Sequence, residues 1–357
     1  MISLGFLTIK RHQELAYFTE VATALKGKGL SFFRFTPLDI DPSTELVHGL
    51  TYNESTEEWE SDVFPIPDYL YDRCFYQPEP SSKKAEPIVK WLKQRPGTCF
   101  LGYGLPNKWE VYQSICEQNS ISSYLPTTIQ IENFQQLKTL LRKEKSIMIK
   151  PVNGSQGNGV IHIQLLAKEI TVHTQKRGKS IHKSFANQLD FKRFIDSLLR
   201  ETSFIGQNFL PLQHKEKPFD IRILLQKNEQ GDWIEQGRGV RMGCEKGIVS
   251  NLHNGGEVIP FPVILSYYQS PIKELIQEEI NSIIKLIPPL LEERFGRLFE
   301  LGLDIGVTEE GAVWLLDINS KPGRKVITSS SPTSNIGLYQ APYHYIHYME
   351  QQKTKTN

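Results

Sequence analysis

The sequence predicts a mixed α/β (α+β) protein of two or three lobes. Three observations predict it. The chain has 357 residues, enough for more than one core. Strand and helix periodicities alternate through its first hundred residues, and its second half alternates apolar strands with one long helix.

Ile2 to Ile9 reads as a strand, Glu14 to Lys26 as an amphipathic helix and Leu30 to Phe35 as a β-rich run, an order that predicts a small α/β unit with parallel strands. Prolines at 65, 67, 78, 80 and 87 break the pattern between Val63 and Pro87, with Tyr69, Tyr71, Phe75 and Tyr76 among them. A packed connector is expected there, a substrate-facing loop being the alternative. A helix follows over Lys108 to Gln118, then an extended stretch over Tyr124 to Ile131 and a helix over Asn133 to Lys143. The strand Ile147 to Lys150 runs into a glycine-rich turn. A hairpin joining ITVHT to SIHKSF and a helix from Leu189 to Leu199 come next. From about 206, apolar strands alternate with a helix from Ile272 to Phe295 that Pro288 and Pro289 are expected to interrupt. The polar end after about Glu350 is expected to fray.

Lysine and arginine number 41 against 40 aspartate and glutamate, and no long run of one sign occurs, so a nucleic-acid stripe or a polybasic anchor is not expected. Cys74, Cys99, Cys116 and Cys244 form no CxxC pair, which argues against a zinc knuckle and fits a reducing compartment. No apolar run approaches the roughly 20 residues of a membrane span. The opening MISLGFLTIKRHQE reads as a first strand, not a signal peptide. A soluble cytoplasmic protein without a nucleic-acid partner is the expectation.

Two elements carry chemistry. The first is the run from Ile149 to Val160, with Lys150 at the end of a strand and Gly154, Gly157 and Gly159 in the turn. Such glycines let backbone N–H groups approach phosphate oxygens, and the lysine adds a point charge. No GK[ST] follows, and VIHIQLL reads as a strand, so this is not a Walker loop. A plain hairpin turn would look the same, and a second element is needed.

That element is the strand pair LGLDIGV and VWLLDIN. Folded about Glu310 and Gly311, it sets Asp304 directly across from Asp317, with Asn319 on the same face. Facing carboxylates in apolar strands repel, and a divalent cation resolves the conflict; two carboxylates and an amide oxygen suit magnesium. Gly302 and Gly306 flank Asp304 and are expected to leave room for metal and phosphates. An outward-facing polar surface is the alternative, and it requires Leu315 to share that face.

Between these elements lie Asp220 and Arg222 on one strand face, Arg238 and Arg241 in RGVRMG, and Asn251 in SNLHNGGE; Lys321 and Arg324 follow in NSKPGRK. Such arginines serve either ion pairs or polyphosphate. Arg241 is read as functional, and His253, alone in a glycine-rich loop, stays outside the catalytic set. No GxSxG or cysteine–histidine pattern offers a nucleophile.

From about Leu105 to Arg324, the segments NKWEVYQ, IMIKPVNGSQGNGV, PFDIRILLQ, RGVRMG with SNLHNGGE, and LGLDIGV with WLLDINSKPGRK resemble, in that order, the ATP-grasp superfamily. More closely they resemble its endospore coat-associated YheC/YheD-type branch. The resemblance implies an ATP-grasp fold, two α+β lobes gripping ATP behind a small α/β N-terminal domain. Its parts would be an N-terminal domain over 1–104, a small lobe with the glycine-rich loop over 105–205, a C-terminal lobe with the metal site over 206–350 and a polar tail over 351–357.

By the same resemblance, Lys108 and Lys150 would touch ATP, and Gly154, Ser155, Gln156, Gly157 and Gly159 would close over its phosphates. Gln207, Asn208, Phe209 and Leu210 would line the adenine pocket. Asp220, Lys321 and Arg324 would join the nucleotide site, Arg222, Arg241 and Asn251 the reacting end, and Asp304, Asp317 and Asn319 would hold Mg2+. Family members usually carry glutamate where this chain has Asp317, one methylene shorter, so one metal ion or two stays open. The activity implied is an ATP-dependent carboxylate–amine or carboxylate–thiol ligase acting through an acylphosphate on a small-molecule or peptide carboxylate. A kinase-like phosphotransferase and a non-catalytic coat component with a nucleotide site are the rivals. The branch also implies other spore coat proteins as partners, and the mother-cell cytoplasm and spore coat as locations.

Overall fold

Strand β1 (Ile2–Leu7) pairs in parallel with β2 (Leu30–Phe35), which is reached through helix α1 (Leu15–Ala24). The structure is a computed structural model, and it describes residues 2–77, 79–154, 157–176, 179–245, 247–252, 255–330 and 335–356. An antiparallel hairpin of β3 (Leu46–Asn53) and β4 (Glu58–Pro65) extends the sheet beyond β2. On the other side, β5 (Tyr69–Asp72), α2 (Pro80–Gln94) and β6 (Cys99–Phe100) complete the order β4-β3-β2-β1-β5-β6. The unit has the parallel strands expected, β2-β1-β5-β6, with an antiparallel hairpin added at one edge. The proline-broken connector contains a core strand, because Tyr69, Leu70 and Tyr71 are buried in β5 between β1 and β6.

A second sheet follows α3 (Lys108–Ile115). It is built from β7 (Thr128–Ile131), β8 (Ser146–Pro151), β9 (Ile161–Leu165), β10 (Ile170–Lys176), β11 (Lys179–Phe185) and β12 (Phe204–Asn208), antiparallel throughout, in the order β11-β10-β9-β8-β12-β7. Helices α4 (Phe134–Glu144) and α5 (Gln188–Glu201) cover one face. The helix starts are set by asparagines: the side chains of Asn107, Asn133 and Asn187 accept from backbone N–H groups of the first turns of α3, α4 and α5. Strand alternation does the rest. Ile147, Ile149, Ile161 and Ile163 enter the core under α4 and α5, which leaves Met148, Lys150 and His162 on the opposite face.

The third sheet comprises β13 (Gln213–His214), β14 (Lys217–Lys227), β15 (Trp233–Met242), β16 (Glu257–Ile259), β17 (Glu300–Val307) and β18 (Val313–Asn319), with β14 at its centre. Helices α6 (Phe261–Leu265) and α7 (Ile272–Phe295) pack on one face, and α8 (Lys325–Ser330) and α9 (Ile336–Thr356) lie on the other side. Ile221, Ile223 and Leu225 of β14, with Leu301, Leu303 and Ile305 of β17, meet α7. Asp220, Arg222 and Asp304, on the opposite face of these strands, therefore project away from α7, into the gap facing the second sheet.

Pro288 and Pro289 do not interrupt α7. A buried stripe of Ile276, Ile280, Ile283, Ile287 and Leu291 stabilises it by about 1.5–3 kcal/mol per side chain, against a cost of about 3 kcal/mol per proline. The end of the chain is helical through Thr356 instead of frayed. Tyr345 and Met349 of α9 pack on the first sheet, and Lys353 Nζ donates to Glu350 at 2.8 Å. Among the described residues no helix is long and apolar enough to cross a membrane.

Candidate functional site

The faces left free by the second and third sheets enclose a cavity of about 720 Å3. Lys150 and Met148 enter it from β8, Gly154, Gly157 and Asn158 from the following turn, Asp220 and Arg222 from β14, Arg241 from β15, and Asp304, Asp317 and Asn319 from the β17–β18 hairpin. Asp304 stands across from Asp317, but the register shifts by one residue immediately beyond, so that Ile305 pairs with Leu315. That bulge resolves the alternative set out for the hairpin. It turns Leu315 into the α7 core and Leu316 to the cavity, so the acids keep their face without Leu315. The room expected over Gly302 and Gly306 is already filled: a Cβ at Gly302 would lie 2.5 Å from Pro322 Cβ, and one at Gly306 the same distance from Leu212 Cδ1.

The charges are arranged in layers. Arg222 donates through Nε and Nη2 to Asp304 at 2.5 and 3.0 Å, and Arg241 Nη2 lies 2.9 Å from the same carboxylate. Burial pushes Asp304 toward its neutral form, but the two guanidinium groups outweigh it and hold the carboxyl well below its usual range. Arg241 also forks onto Asp220, which accepts from Ser250 Oγ as well. Lys108 Nζ pairs with Asp317 Oδ2, to which Asn319 Nδ2 donates at 3.2 Å. Lys150 differs: it has no ion-pair partner among the described residues, and burial, countered in part by Asp317, pulls its ammonium down to about 8.

Not every predicted position reaches the cavity. Gln207, Asn208, Phe209, Leu210 and Asn251 line it, with Phe209 stacked on His162 and Gln207 Nε2 donating to Thr128 Oγ1 at 2.8 Å. Gly159 caps the turn against Pro151. Ser155, Gln156 and His253 lie outside the described residues. Lys321 touches the cavity but is held by Asp72 at 2.8 Å and by the carbonyl of Cys74 at 3.0 Å. Arg238 turns to Glu235 and Asn281.

Arg324 does not line the cavity. It is buried behind the wall, donating to Glu300 at 2.8 Å and to Tyr71, with its guanidinium 3.7 Å from the Tyr17 ring centroid. Glu14 links this group to the cavity. It lines the wall and takes Arg73 at 2.6 and 2.7 Å and Arg324 at 3.3 Å, while Arg73 also reaches Glu300.

Further residues complete the wall, those after β5 lying in the stretch for which a substrate-facing loop was the alternative, and those after β1 and from α8 having been missed from the sequence. Lys10, His12, Gln13 and Glu14 follow β1, and Phe75, Gln77 and Glu79 follow β5; Lys325 comes from α8. Chain order reverses at β1, with β2 on one side and β5 on the other. Crevices at the carboxyl ends of such parallel strands are where open α/β sheets hold ligands. The polar cluster KRHQE directly after the first strand was the available signal.

Residues 97–349 match the family described as YheC/D like ATP-grasp. The endospore coat-associated protein YheC of Bacillus subtilis (strain 168) is 40% identical over 351 residues, covering 98% of this chain and 96% of that protein. N5-carboxyaminoimidazole synthetase from Staphylococcus aureus complexed with ADP aligns with a TM-score of 0.55 at 9% identity, over 95% of this chain and 76% of that one. The D-alanine-D-alanine ligase from Coxiella burnetii aligns with a TM-score of 0.50 at 11% identity, over 100% and 98%. The two solved structures show the fold, an ATP-grasp fold of mixed α+β lobes, and the sequence matches show the family. This chain belongs to the YheC/D-like ATP-grasp family.

Proposed function

We propose that the protein binds MgATP in the cavity and joins a carboxylate to an amine or thiol through an acylphosphate. The observation that carries this reading is Lys150, a half-buried cation without an ion-pair partner among the described residues, set where the glycine turn meets the hairpin acids. An ammonium partly withdrawn from water gains when an anion meets it, and nucleotide phosphates are anions of the right kind.

The reaction needs positioning and charge balance more than covalent help. A carboxylate oxygen attacks the γ-phosphorus, the bond to the ADP oxygen breaks and an acylphosphate forms. The amine or thiol then attacks the acyl carbon, its proton is released, and inorganic phosphate leaves. Lys150 and Lys108 offset the phosphate charge, and Arg222 and Arg241, fixed by Asp304 and Asp220, lower the repulsion felt by the incoming carboxylate. The turn carrying Gly157 lies against Asn251 of the facing lobe, a contact suited to keeping water from the acylphosphate. Asp304, Asp317 and Asn319 present oxygen donors on one face of the hairpin, a set that fits a magnesium ion completed by phosphates and water. Such an ion would supply further charge neutralisation. Because the Bacillus subtilis relative is named for the endospore coat, we place this activity in the sporulating cell, with coat proteins among its partners.

The test incubates the purified protein and Lys150→Ala with MgATP and an extract of sporulating cells, following nucleotides and new masses by mass spectrometry. ADP together with a condensed product, from the unmodified protein only, is expected. ADP with a phosphorylated product would identify a kinase. Absence of both turnover and nucleotide binding would sink the reading.

A further inference from the structure

The two acids of the hairpin are neutralised in different ways. Asp304 is gripped by the planar guanidinium fork of Arg222 from the adjacent β14 and touched by Arg241 from β15, one strand further in the same sheet, with side-chain exposures of 10% for Arg222 and 11% for Asp304. Neither arginine can leave without stranding a buried charge. Asp317 is held by one ammonium on a flexible four-carbon stem, rooted outside the sheet at the first residue of α3, and this pair is more open, 18% and 24% exposed. Lys108 is the cation that can let go.

Its root decides where it goes. Asn107 caps α3, and the Lys108 backbone N–H donates to the carbonyl of Val152 at 3.3 Å, which ties the helix start to the end of β8 where the glycine turn begins. An ammonium released from Asp317 therefore stays beside that turn, close enough to Lys150 for the two charges to repel. Such a pair gains most when a polyanion arrives. The hairpin, for its part, is a poor trap for a bare metal ion: among the described residues no group of three His, Cys, Asp or Glu side chains is placed to hold one, and Lys108 already occupies Asp317.

We propose that Lys108 is an exchangeable counter-ion, neutralising Asp317 until a divalent ion takes that carboxylate and then moving to the nucleotide phosphates, so that metal and nucleotide bind as a coupled pair. This rests on the nucleotide and metal assignment proposed above. By reciprocity, whatever the metal gains from the nucleotide the nucleotide gains from the metal, and part of that coupling runs through one lysine.

The experiment titrates Mn2+ into the full-length protein, Lys108→Met and Lys108→Arg, with and without β,γ-imido-ATP, reading bound Mn2+ by electron paramagnetic resonance. Lys108→Met is expected to bind Mn2+ without nucleotide about tenfold more tightly than the unmodified protein, and to lose a similar factor of metal–nucleotide coupling. Lys108→Arg, which keeps a cation on Asp317, should stay near the unmodified protein. If the unmodified protein holds Mn2+ only with the analogue but Lys108→Met gains no nucleotide-free affinity, the counter-ion role is wrong and the metal site stands. If Mn2+ does not bind even with the analogue, the metal assignment falls and takes this proposal with it.

Discussion

Gly157 and Asn251 touch across the cleft, the first on the turn after β8 and the second on the loop between β15 and β16. A Cβ placed on Gly157 would come within 2.8 Å of Asn251 Cγ. A second link lies nearby, where the backbone N–H groups of Ile248 and Val249 donate to Gln175 Oε1 of β10, each at 3.3 Å. The two lobes are thus joined over the cavity by one loop.

Gly157→Ala attacks that joint twice, through a φ of +71° that alanine rarely adopts and through the side chain of Asn251. It is expected to weaken nucleotide affinity by about tenfold while costing the fold only about 1 kcal/mol. Titration of a fluorescent ATP analogue and a thermal melt check the two halves. Unchanged affinity would mean that the turn does not close on the ligand.

Lys150→Met is expected to weaken MgATP binding by about tenfold or more, the worth of a hydrogen bond to a charged group. In the free protein its ammonium loses its proton near pH 8, because burial favours the neutral form. A bound anion favours the protonated form. Affinity should therefore be steady below about pH 8 and fall above it, and the fall should vanish in Lys150→Met. Calorimetry between pH 7 and 9 decides it.

The two hairpin acids should separate stability from metal dependence. Asp304→Ala strands the buried guanidinium of Arg222, leaves Arg241 with Asp220 alone, and is expected to cost about 3–5 kcal/mol. Asp317→Ala breaks a half-open pair and is expected to cost about 0.2–1 kcal/mol, yet it should reduce the gain in nucleotide affinity that Mg2+ brings. Urea denaturation and nucleotide titrations with and without Mg2+ measure both. Equal stability losses would contradict the layering of charge described here.

Glu14 links acid stability to the cavity wall. Burial opposes its ionisation, but Arg73 and Arg324 outweigh this and bring its carboxyl from 4.5 to about 2. With the folded value depressed, its contribution is present above about pH 4.5 and is lost as the pH falls toward 2. Glu14→Gln is expected to cost on the order of 3 kcal/mol at pH 7 and to flatten the stability profile over that acid range. Urea titrations at pH 7 and pH 3 give the comparison.

What was legible in the sequence was whatever repeats within a few residues. Alternation in IMIK and LGLDIGV puts Lys150 and Asp304 on the faces where the structure has them, since an apolar neighbour on either side fixes each polar residue's direction. The bulge beyond Asp304 was not legible, because nothing in WLLD says which leucine the core of α7 will take. Arg324 was misread for a different reason. Its partners Glu14, Tyr71 and Glu300 lie as far as 310 positions away, and no local pattern marks a pair at that distance.

The same long reach sets an order of manufacture. The core of the first sheet includes Phe299, Ala341, Tyr345, Ile346 and Met349 beside Leu4, Phe6 and Phe18, and Arg73 finds its second acid only at Glu300. On the ribosome, Leu4, Phe6 and Phe18 emerge long before Tyr345 and Met349, which help to cover their apolar face. Residues 2–100, which build the first sheet, are therefore a module in topology whose apolar face is closed from α9. Cut away on their own, they would leave an aromatic floor without its lid.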